Sequence, residues 1–207
     1  MKTPLHYQIS EYDCGPTSLL NAVSFLFERE DIPPELIRNI MLYSLDNYNN
    51  EGIQGKSGTS CAAMMFLVNW LNCFGKTGRL PVSGKHLSGA EVCAGQDSAI
   101  QNALRQGGVA VVLCWFDVPH YILLTGLRPG LLLAFDPYYR KEPFPFAPDI
   151  LLTEEHPCHY NRLIPTRYLN CEDDKIYALG PMARREAVLL FNEKTKLTAA
   201  NTIEYFI

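Results

Sequence analysis

The sequence predicts an α+β fold, with helices in the front half of the chain and antiparallel strands in the back half. Apolar residues recur at helical spacing as far as about residue 106, whereas short β-branched runs begin at residue 109. Helices followed by sequential strands are typical of an α+β layout. A chain of 207 residues is long enough for one full-sized domain, so we take 1–207 as a single domain.

Four helices are predicted in the front half, and each has a start or stop signal. In the first helix, Leu19, Ala22, Val23 and Leu26 recur at the i, i+3, i+4, i+7 spacing of one helix face. Gly107 and the following glycine stop the fourth helix. The predicted helices begin after Gly15-Pro16, at Pro34, after the capping pair Thr59-Ser60, and at Asp97 or Ser98.

The strands of the back half are predicted from β-branched and apolar runs. Residues 109–116 form a continuous apolar run, which favours a buried strand. Residues 121–127 and 131–135 flank the turn sequence Arg128-Pro129-Gly130 and predict a hairpin. Two further strands are predicted at 176–179 and 187–191.

Composition excludes several classes of function. The formal net charge is -4, the sequence pI is about 5.7, and the basic residues are scattered, so nucleic acid is not an expected partner. The first six residues lack the apolar core of a signal peptide, and the longest apolar run is far below the ~20 residues of a membrane span. The sequence therefore predicts a cytoplasmic protein without a membrane span. Its seven cysteines are expected to be reduced thiols.

No cofactor or metal is predicted. Two tripeptides, at 55–57 and 75–77, imitate the end of a phosphate-binding loop but lack its earlier glycine and its preceding strand. Among the residues between 156 and 171, the histidines and cysteines match no standard zinc spacing. We therefore expect a protein without a bound cofactor.

Cys14 stands where the first helix begins. Unpaired backbone N–H groups and the positive end of the helix dipole favour a thiolate over a thiol at such a position. A free cysteine is nevertheless often a small buried hydrophobic residue. Cys61, just inside the third helix, is the rival nucleophile, but its apolar neighbours indicate packing and no carboxylate-supported histidine is assigned to it.

His120 and Asp136 are the predicted partners of Cys14. If the hairpin turns at 128–130, both residues are about equally far from its centre, which places the carboxylate beside the imidazole. A carboxylate in this position can fix the histidine tautomer and stabilise the imidazolium. An aspartate before Pro137 is also typical of a simple turn. Gln8, six residues before Cys14, could donate its side-chain amide to an oxyanion.

These motifs resemble the bacteriocin-processing, or double-glycine leader, peptidases, which are family 39 of the cysteine peptidases and have a papain-like fold. The sequence from Gln8 through Asp13-Cys14-Gly15 is similar to the family's Gln-x5-Cys signature. The segment 120–126, His-Tyr-Ile-Leu-Leu-Thr-Gly, resembles its histidine strand, Asp136-Pro137 resembles its Asp-Pro pair, and 58–60, Gly-Thr-Ser, resembles a helix start of the family. The resemblance covers about residues 5–140 and leaves 141–207 as an extension that completes or decorates the sheet.

The resemblance implies a helical lobe packed on an antiparallel sheet. It also implies a nucleophile at Cys14, a base at His120, an orienting carboxylate at Asp136 and an oxyanion donor at Gln8. The expected substrate is a peptide or a small amide. The same residues could instead catalyse acyl transfer or deamidation, the domain could bind peptides without cutting them, or the cysteine could be structural.

Overall fold

The computed structural model describes residues 1–198 and contains five α-helices and seven β-strands in that range. The helices are α1 (Cys14–Leu26), α2 (Pro34–Ser44), α3 (Cys61–Lys76), α4 (Ala99–Arg105) and α5 (Thr166–Leu169). The strands are β1 (Val82–Ser88), β2 (Val109–Phe116), β3 (Val118–Arg128), β4 (Leu131–Phe135), β5 (Leu151–Leu152), β6 (Arg162–Pro165) and β7 (Glu186–Asn192).

All seven strands form a single sheet in the order β1-β7-β2-β3-β4-β6-β5, and every neighbouring pair is antiparallel. The predicted combination of helices with an antiparallel sheet is therefore confirmed. Strand β7 lies between β1 and β2, while β5 and β6 continue the sheet beyond β4. The segment after residue 140 thus supplies three of the seven strands.

Helices α1, α2 and α3 cover one face of the sheet, and the other face carries a second apolar core that includes α4. Val109 and Val111 of β2 pack in the cluster that contains α1, α2 and α3. Ala110 and Val112 point the opposite way and pack with α4 and the C-terminal segment. Because β2 is buried on both faces, its sequence is apolar throughout rather than alternating.

The helix starts use different polar contacts. Ser60 caps α3 by accepting a hydrogen bond from the N–H of Ala63, and Ser98 caps α4 in the same way. Asp13 occupies the cap position of α1 but makes no side-chain capping bond.

Among the described residues, no helix combines the length and the apolar character needed to cross a lipid bilayer.

One predicted strand does not form, and three strands of the sheet, β1, β5 and β6, were not predicted. Residues 176–179 do not form a strand, although Tyr177 and Ala178 exchange backbone hydrogen bonds with Trp115 at the end of β2. Tyr177 has a φ of 58°, and this left-handed backbone turns the chain away from the sheet. Strand β1 was not predicted, because the polar residues Lys85 and His86 interrupt its apolar pattern.

Candidate active site

A cleft of about 510 Å³ opens where the start of α1 meets the β2–β3 turn. Gln8, Cys14 and His120 all line it. Ser57 and Gly58, from the loop that leads into α3, form part of the opposite wall. The structure therefore brings three of the four predicted site residues to one cavity, and Asp136 lies directly behind His120.

Cys14 is the first residue of α1, and its side chain is only 6% exposed. The first bond of this helix runs from the N–H of Thr17 to the carbonyl of Asp13. The N–H groups of Cys14 and Gly15 therefore precede the first intrahelical donor and have no carbonyl acceptor within the helix. The positive end of the helix dipole is directed at the thiol and at any group bound beside it.

Asp13 organises the loop that precedes the nucleophile. Its carboxylate accepts hydrogen bonds from the N–H groups of Ile9 and Ser10 at 3.2 and 2.8 Å and from the Ser10 hydroxyl at 2.9 Å. The N–H of Gln8 donates to the carbonyl of Pro137 at 2.8 Å. This contact joins the loop before α1 to the segment that follows β4, so the thiol and the carboxylate are positioned relative to each other.

Gly15 permits a close approach between α1 and the residues that lead into α3. A Cβ atom at this position would overlap the side chain of Thr59. Gly58, which precedes Thr59 in the chain, has a φ of 74°, which glycine adopts without strain. The two short motifs Asp-Cys-Gly and Gly-Thr-Ser therefore meet in space at the cleft.

His120 and Asp136 form a buried ion pair, with 2.8 Å between Nε2 and Oδ1. Burial lowers the pKa of His120, but the charge and hydrogen bond of Asp136 and the interaction with Cys14 outweigh that effect and raise the pKa to about 10. Because Nε2 is directed at the carboxylate, Nδ1 is the ring nitrogen left for the thiol. The imidazole thus lies between Cys14 and Asp136.

The hairpin brings His120 and Asp136 together through a different register from the symmetrical one that the turn predicts. Strands β3 and β4 pair Arg128 with Leu131, but a bulge between Leu124 and Gly126 shifts the register. Beyond the bulge Leu124 pairs with Ala134, so Asp136 lies diagonally rather than directly opposite His120. The two side chains still meet, because diagonal neighbours on one sheet face are within reach of long side chains.

Asp136 is fully buried, and its carboxylate accepts three hydrogen bonds. The Tyr177 hydroxyl donates to Oδ2 at 2.6 Å, and the N–H of Tyr138 donates to Oδ1 at 2.8 Å. Burial raises the pKa of Asp136, but the charges of His120 and Arg162 and the hydrogen bonds from His120 and Tyr177 lower it overall. The carboxylate therefore remains ionised next to the imidazole.

Sequence reasoning missed the residues that hold Asp136 in place. The side chain of Asn161 bonds both the N–H and the carbonyl of Asp136, each at 2.8 Å. The guanidinium of Arg162, which is almost completely buried, donates to the carbonyls of Asn161 and Tyr138. These residues and Tyr177 belong to the segment after residue 140. No element was predicted at Asn161 or Arg162, and the strand predicted at Tyr177 does not form.

The Gln8 side chain lines the cleft and contacts its own loop. Its Nε2 donates one hydrogen bond to the Ser10 carbonyl at 2.8 Å, which leaves the second N–H of the amide available. Its buried Oε1 has no hydrogen-bond partner among residues 1–198. Gln8 therefore shares the cleft with Cys14 and has one amide N–H uncommitted.

Cys61 also has a histidine and a carboxylate nearby, contrary to the sequence prediction. Its Sγ lies 3.7 Å from Nε2 of His86, and the same Nε2 lies 3.4 Å from Oε1 of Glu186. The sequence did not indicate this cluster, because β1 was not predicted as a strand. Its pairing with β7, which brings His86 and Glu186 together, joins segments that are far apart in the sequence. Burial and the negative charge of Glu186 raise the pKa of Cys61, which disfavours the thiolate.

Comparison with solved structures shows a weak similarity to a known peptidase domain. No family model and no curated protein matches the chain. The chain is similar to the crystal structure of the peptidase domain of Streptococcus mutans ComA, with 14% sequence identity and a TM-score of 0.40. The alignment covers 91% of this chain and 98% of that one. At this identity and score the similarity supports no functional conclusion. The function proposed below is argued from the geometry of the site.

Proposed function

We propose that the protein is a papain-like cysteine peptidase that hydrolyses a peptide bond with Cys14 as nucleophile. The observation that carries this proposal is the order of groups in the cleft. Cys14 lies at a helix start, His120 lies beside it, and Asp136 binds the far nitrogen of that histidine at 2.8 Å. A nucleophile, a base and a group that orients the base are the elements of a catalytic triad.

The resting site holds a thiolate and an imidazolium. The raised pKa of His120 means that the imidazole carries a proton at neutral pH, and Asp136 stabilises this charge. The proton on Nδ1 comes from the Cys14 thiol. No separate base is then required for attack, because the nucleophile is already deprotonated.

The reaction has two halves. The Cys14 sulfur attacks the carbonyl carbon of the scissile amide, and the carbonyl electrons move to the oxygen. The Gln8 amide and the backbone N–H of Cys14 donate hydrogen bonds to this oxyanion. When the C–N bond breaks, His120 gives its proton to the departing amine. Water then attacks the thioester, His120 accepts a proton from that water, and the Cys14 thiolate leaves the new carboxylic acid.

The walls of the cleft favour a peptide substrate. Phe116, Val118 and Pro119 provide an apolar wall beside His120, whereas Glu11 and Asp117 place carboxylates at the rim. A peptide with an apolar side chain next to the cleaved bond and a basic residue nearby matches this lining. The resemblance to the double-glycine leader peptidases adds one trial substrate, a leader peptide that ends in Gly-Gly.

Turnover of a peptide library, with and without the Gly-Gly sequence, tests the proposal. Wild-type protein should release products and accumulate a covalent acyl adduct on Cys14, which mass spectrometry of the quenched protein locates. Cys14→Ala should lose both signals while its circular dichroism stays unchanged, and Cys61→Ser is the matched control that should keep them. An acyl adduct on Cys61, or turnover that survives Cys14→Ala, would refute the proposal.

The same experiment separates hydrolysis from acyl transfer and deamidation. All three reactions pass through an acyl enzyme, and they differ in the amide that is cleaved and in the acceptor. Adding an acceptor amine should leave the carboxylic acid as the main product. If the amine captures most of the acyl group, the protein is an acyltransferase. Release of ammonia from a side-chain amide instead would identify a deamidase.

A further inference from the structure

The cluster of Cys61, His86 and Glu186 lies outside the Cys14 site and comes from three separate elements. Cys61 is the first residue of α3, His86 lies in β1, and Glu186 begins β7. Strands β1 and β7 are paired with Ser88 opposite Glu186, so His86 and Glu186 are diagonal neighbours across the two strands. Helix α3 packs on β1 and brings the cysteine over both of them.

We propose that these three side chains form a binding site for a divalent transition-metal ion, with Zn²⁺ as the ion that suits the donors best. A thiolate, an imidazole and a carboxylate are all common zinc ligands. Each residue offers one ligand atom, and the three atoms lie within 4.8 Å of one another. This site departs from the sequence prediction, in which the chain binds no metal.

Two of the three separations match those between ligands of one tetrahedral ion. Zinc bonds of about 2.3 Å to sulfur and about 2.0 Å to nitrogen or oxygen place the ligands about 3.5 Å apart for sulfur–nitrogen and about 3.3 Å apart for nitrogen–oxygen. The structure has 3.7 Å between Cys61 Sγ and His86 Nε2, and 3.4 Å between that Nε2 and Glu186 Oε1. An ion can therefore be held with small side-chain movements.

The geometry disfavours a second catalytic triad. In a triad, one nitrogen of the histidine faces the nucleophile and the other nitrogen faces the carboxylate. Here a single atom, His86 Nε2, faces both Cys61 and Glu186. Three donors that converge on one point are expected for a metal site and not for a proton relay.

Glu186 is a buried carboxylate whose charge a cation would balance. The residue is only 3% exposed, and its Oε1 accepts no hydrogen bond among the described residues, although His86 Nε2 lies 3.4 Å from it. Burying a carboxylate is costly unless a positive charge neutralises it. Cys61, by contrast, is exposed, so an ion can enter from its side and keep a water molecule as fourth ligand.

A bound ion would tie α3 to the edge of the sheet. Cys61 follows the Ser60 cap, and the loop before that cap contributes Ser57 and Gly58 to the wall of the Cys14 cleft. The ion would thus stabilise the native state, since a ligand that binds only the folded protein raises its stability by mass action.

Titration of the full chain with zinc, after treatment with a chelator, tests this site by calorimetry, and cobalt substitution provides a spectroscopic readout. One ion should bind per chain, and Co²⁺ should give a thiolate charge-transfer band. Cys61→Ser and Glu186→Gln should each weaken zinc binding at least about a hundredfold, because even the loss of residues that only support a ligand costs about 10–100-fold. Cys61→Ser should also abolish the cobalt band.

Two controls make the assignment specific. Cys73→Ser changes another exposed cysteine of α3 and should bind zinc as wild type does. Cys14→Ser removes the thiol of the cleft and should also bind normally, which distinguishes this site from adventitious zinc on Cys14 and His120. Absence of binding, binding that persists in Cys61→Ser, or binding that is lost in Cys14→Ser would each overturn the proposal.

Discussion

At the scale of single residues, the geometry of the cleft depends on the Asp136 carboxylate, which several hydrogen bonds hold in place. The Asp136 carboxylate accepts hydrogen bonds from His120, Tyr177 and the backbone of Tyr138. The side chain of Asn161 holds the backbone of Asp136. A buried carboxylate with this many donors stays ionised and cannot rotate freely. Its position in turn fixes the imidazole that faces Cys14.

Tyr177→Phe tests whether this support matters for catalysis. The change removes the 2.6 Å hydrogen bond to Asp136, which raises the carboxylate pKa toward its ordinary value and loosens the ion pair with His120. We expect kcat to fall about ten- to a hundredfold, since a misplacement of about 1 Å can cost about a hundredfold. The acid limb of the pH–rate profile should move to higher pH.

The matched control is Tyr139→Phe, which removes an exposed hydroxyl bound to Glu154 at 3.0 Å. It should leave kcat and the pH profile unchanged. If Tyr177→Phe lowers stability but leaves the acid limb where it was, Tyr177 has only a structural role.

The residues of the site differed in how far the sequence could predict them. The position of Cys14 followed from a local helix pattern, and His120 and Asp136 followed from a hairpin whose turn is encoded by adjacent residues. Asn161, Arg162 and Tyr177 reach Asp136 only through tertiary folding, 25 to 41 residues further along the chain. No local pattern indicates contacts of this kind.

At the scale of secondary structure, the start of α1 is fixed by its contact with the start of α3. Gly15 and Thr59 approach so closely that no larger residue fits at position 15. Both belong to segments that contribute to the cleft, so the packing of these two helix starts sets the width of the site.

Gly15→Ala should therefore separate the two helix starts. We expect a loss of about 1–3 kcal/mol in the free energy of unfolding, the usual cost of overpacking. Thr59→Ala, which removes the hydroxyl oxygen nearest to the new methyl group, should recover part of that loss in the double variant. Urea denaturation of the four proteins measures this coupling, and strictly additive effects would contradict the contact.

The elements themselves were predictable to different degrees. The four helices longer than four residues and the β3–β4 hairpin were expected, because apolar periodicity and capping residues are local signals. Strand β1 was not predicted because edge strands tolerate polar residues. The strand predicted at 176–179 does not form because Tyr177 adopts a positive φ. In both cases the tertiary environment overrode local preference.

At the scale of the whole molecule, the segment after residue 140 supplies strands on both sides of β2, β3 and β4. Strand β7 pairs with both β1 and β2, and its buried residues contribute to the cores on both faces. The residues that hold Asp136 come from the same segment. The fold and the site therefore depend together on a part of the chain that the family resemblance did not cover.

The ion pair in the site predicts how global stability varies with pH. The folded-state pKa of His120 is raised from 6.5 to about 10, so its contribution is fully present below about pH 6.5 and is lost as the pH rises toward about 10. Chemical denaturation across this range should show falling stability in the wild type. Asp136→Asn should flatten that dependence because it removes the charge that raises the pKa. A wild-type curve without this fall would contradict the ion pair.

The most direct test of the central claim is alkylation by limiting iodoacetamide between about pH 5 and 9, because this range spans the ordinary titration of a free thiol at about 8.5. Mass spectrometry would map modification at each cysteine in the wild type and in His120→Ala. We predict that Cys14 is labelled selectively at acidic pH and that His120→Ala abolishes this labelling. If Cys14 is protected, or reacts as an ordinary thiol regardless of His120, then no thiolate–imidazolium pair exists and the peptidase proposal is wrong.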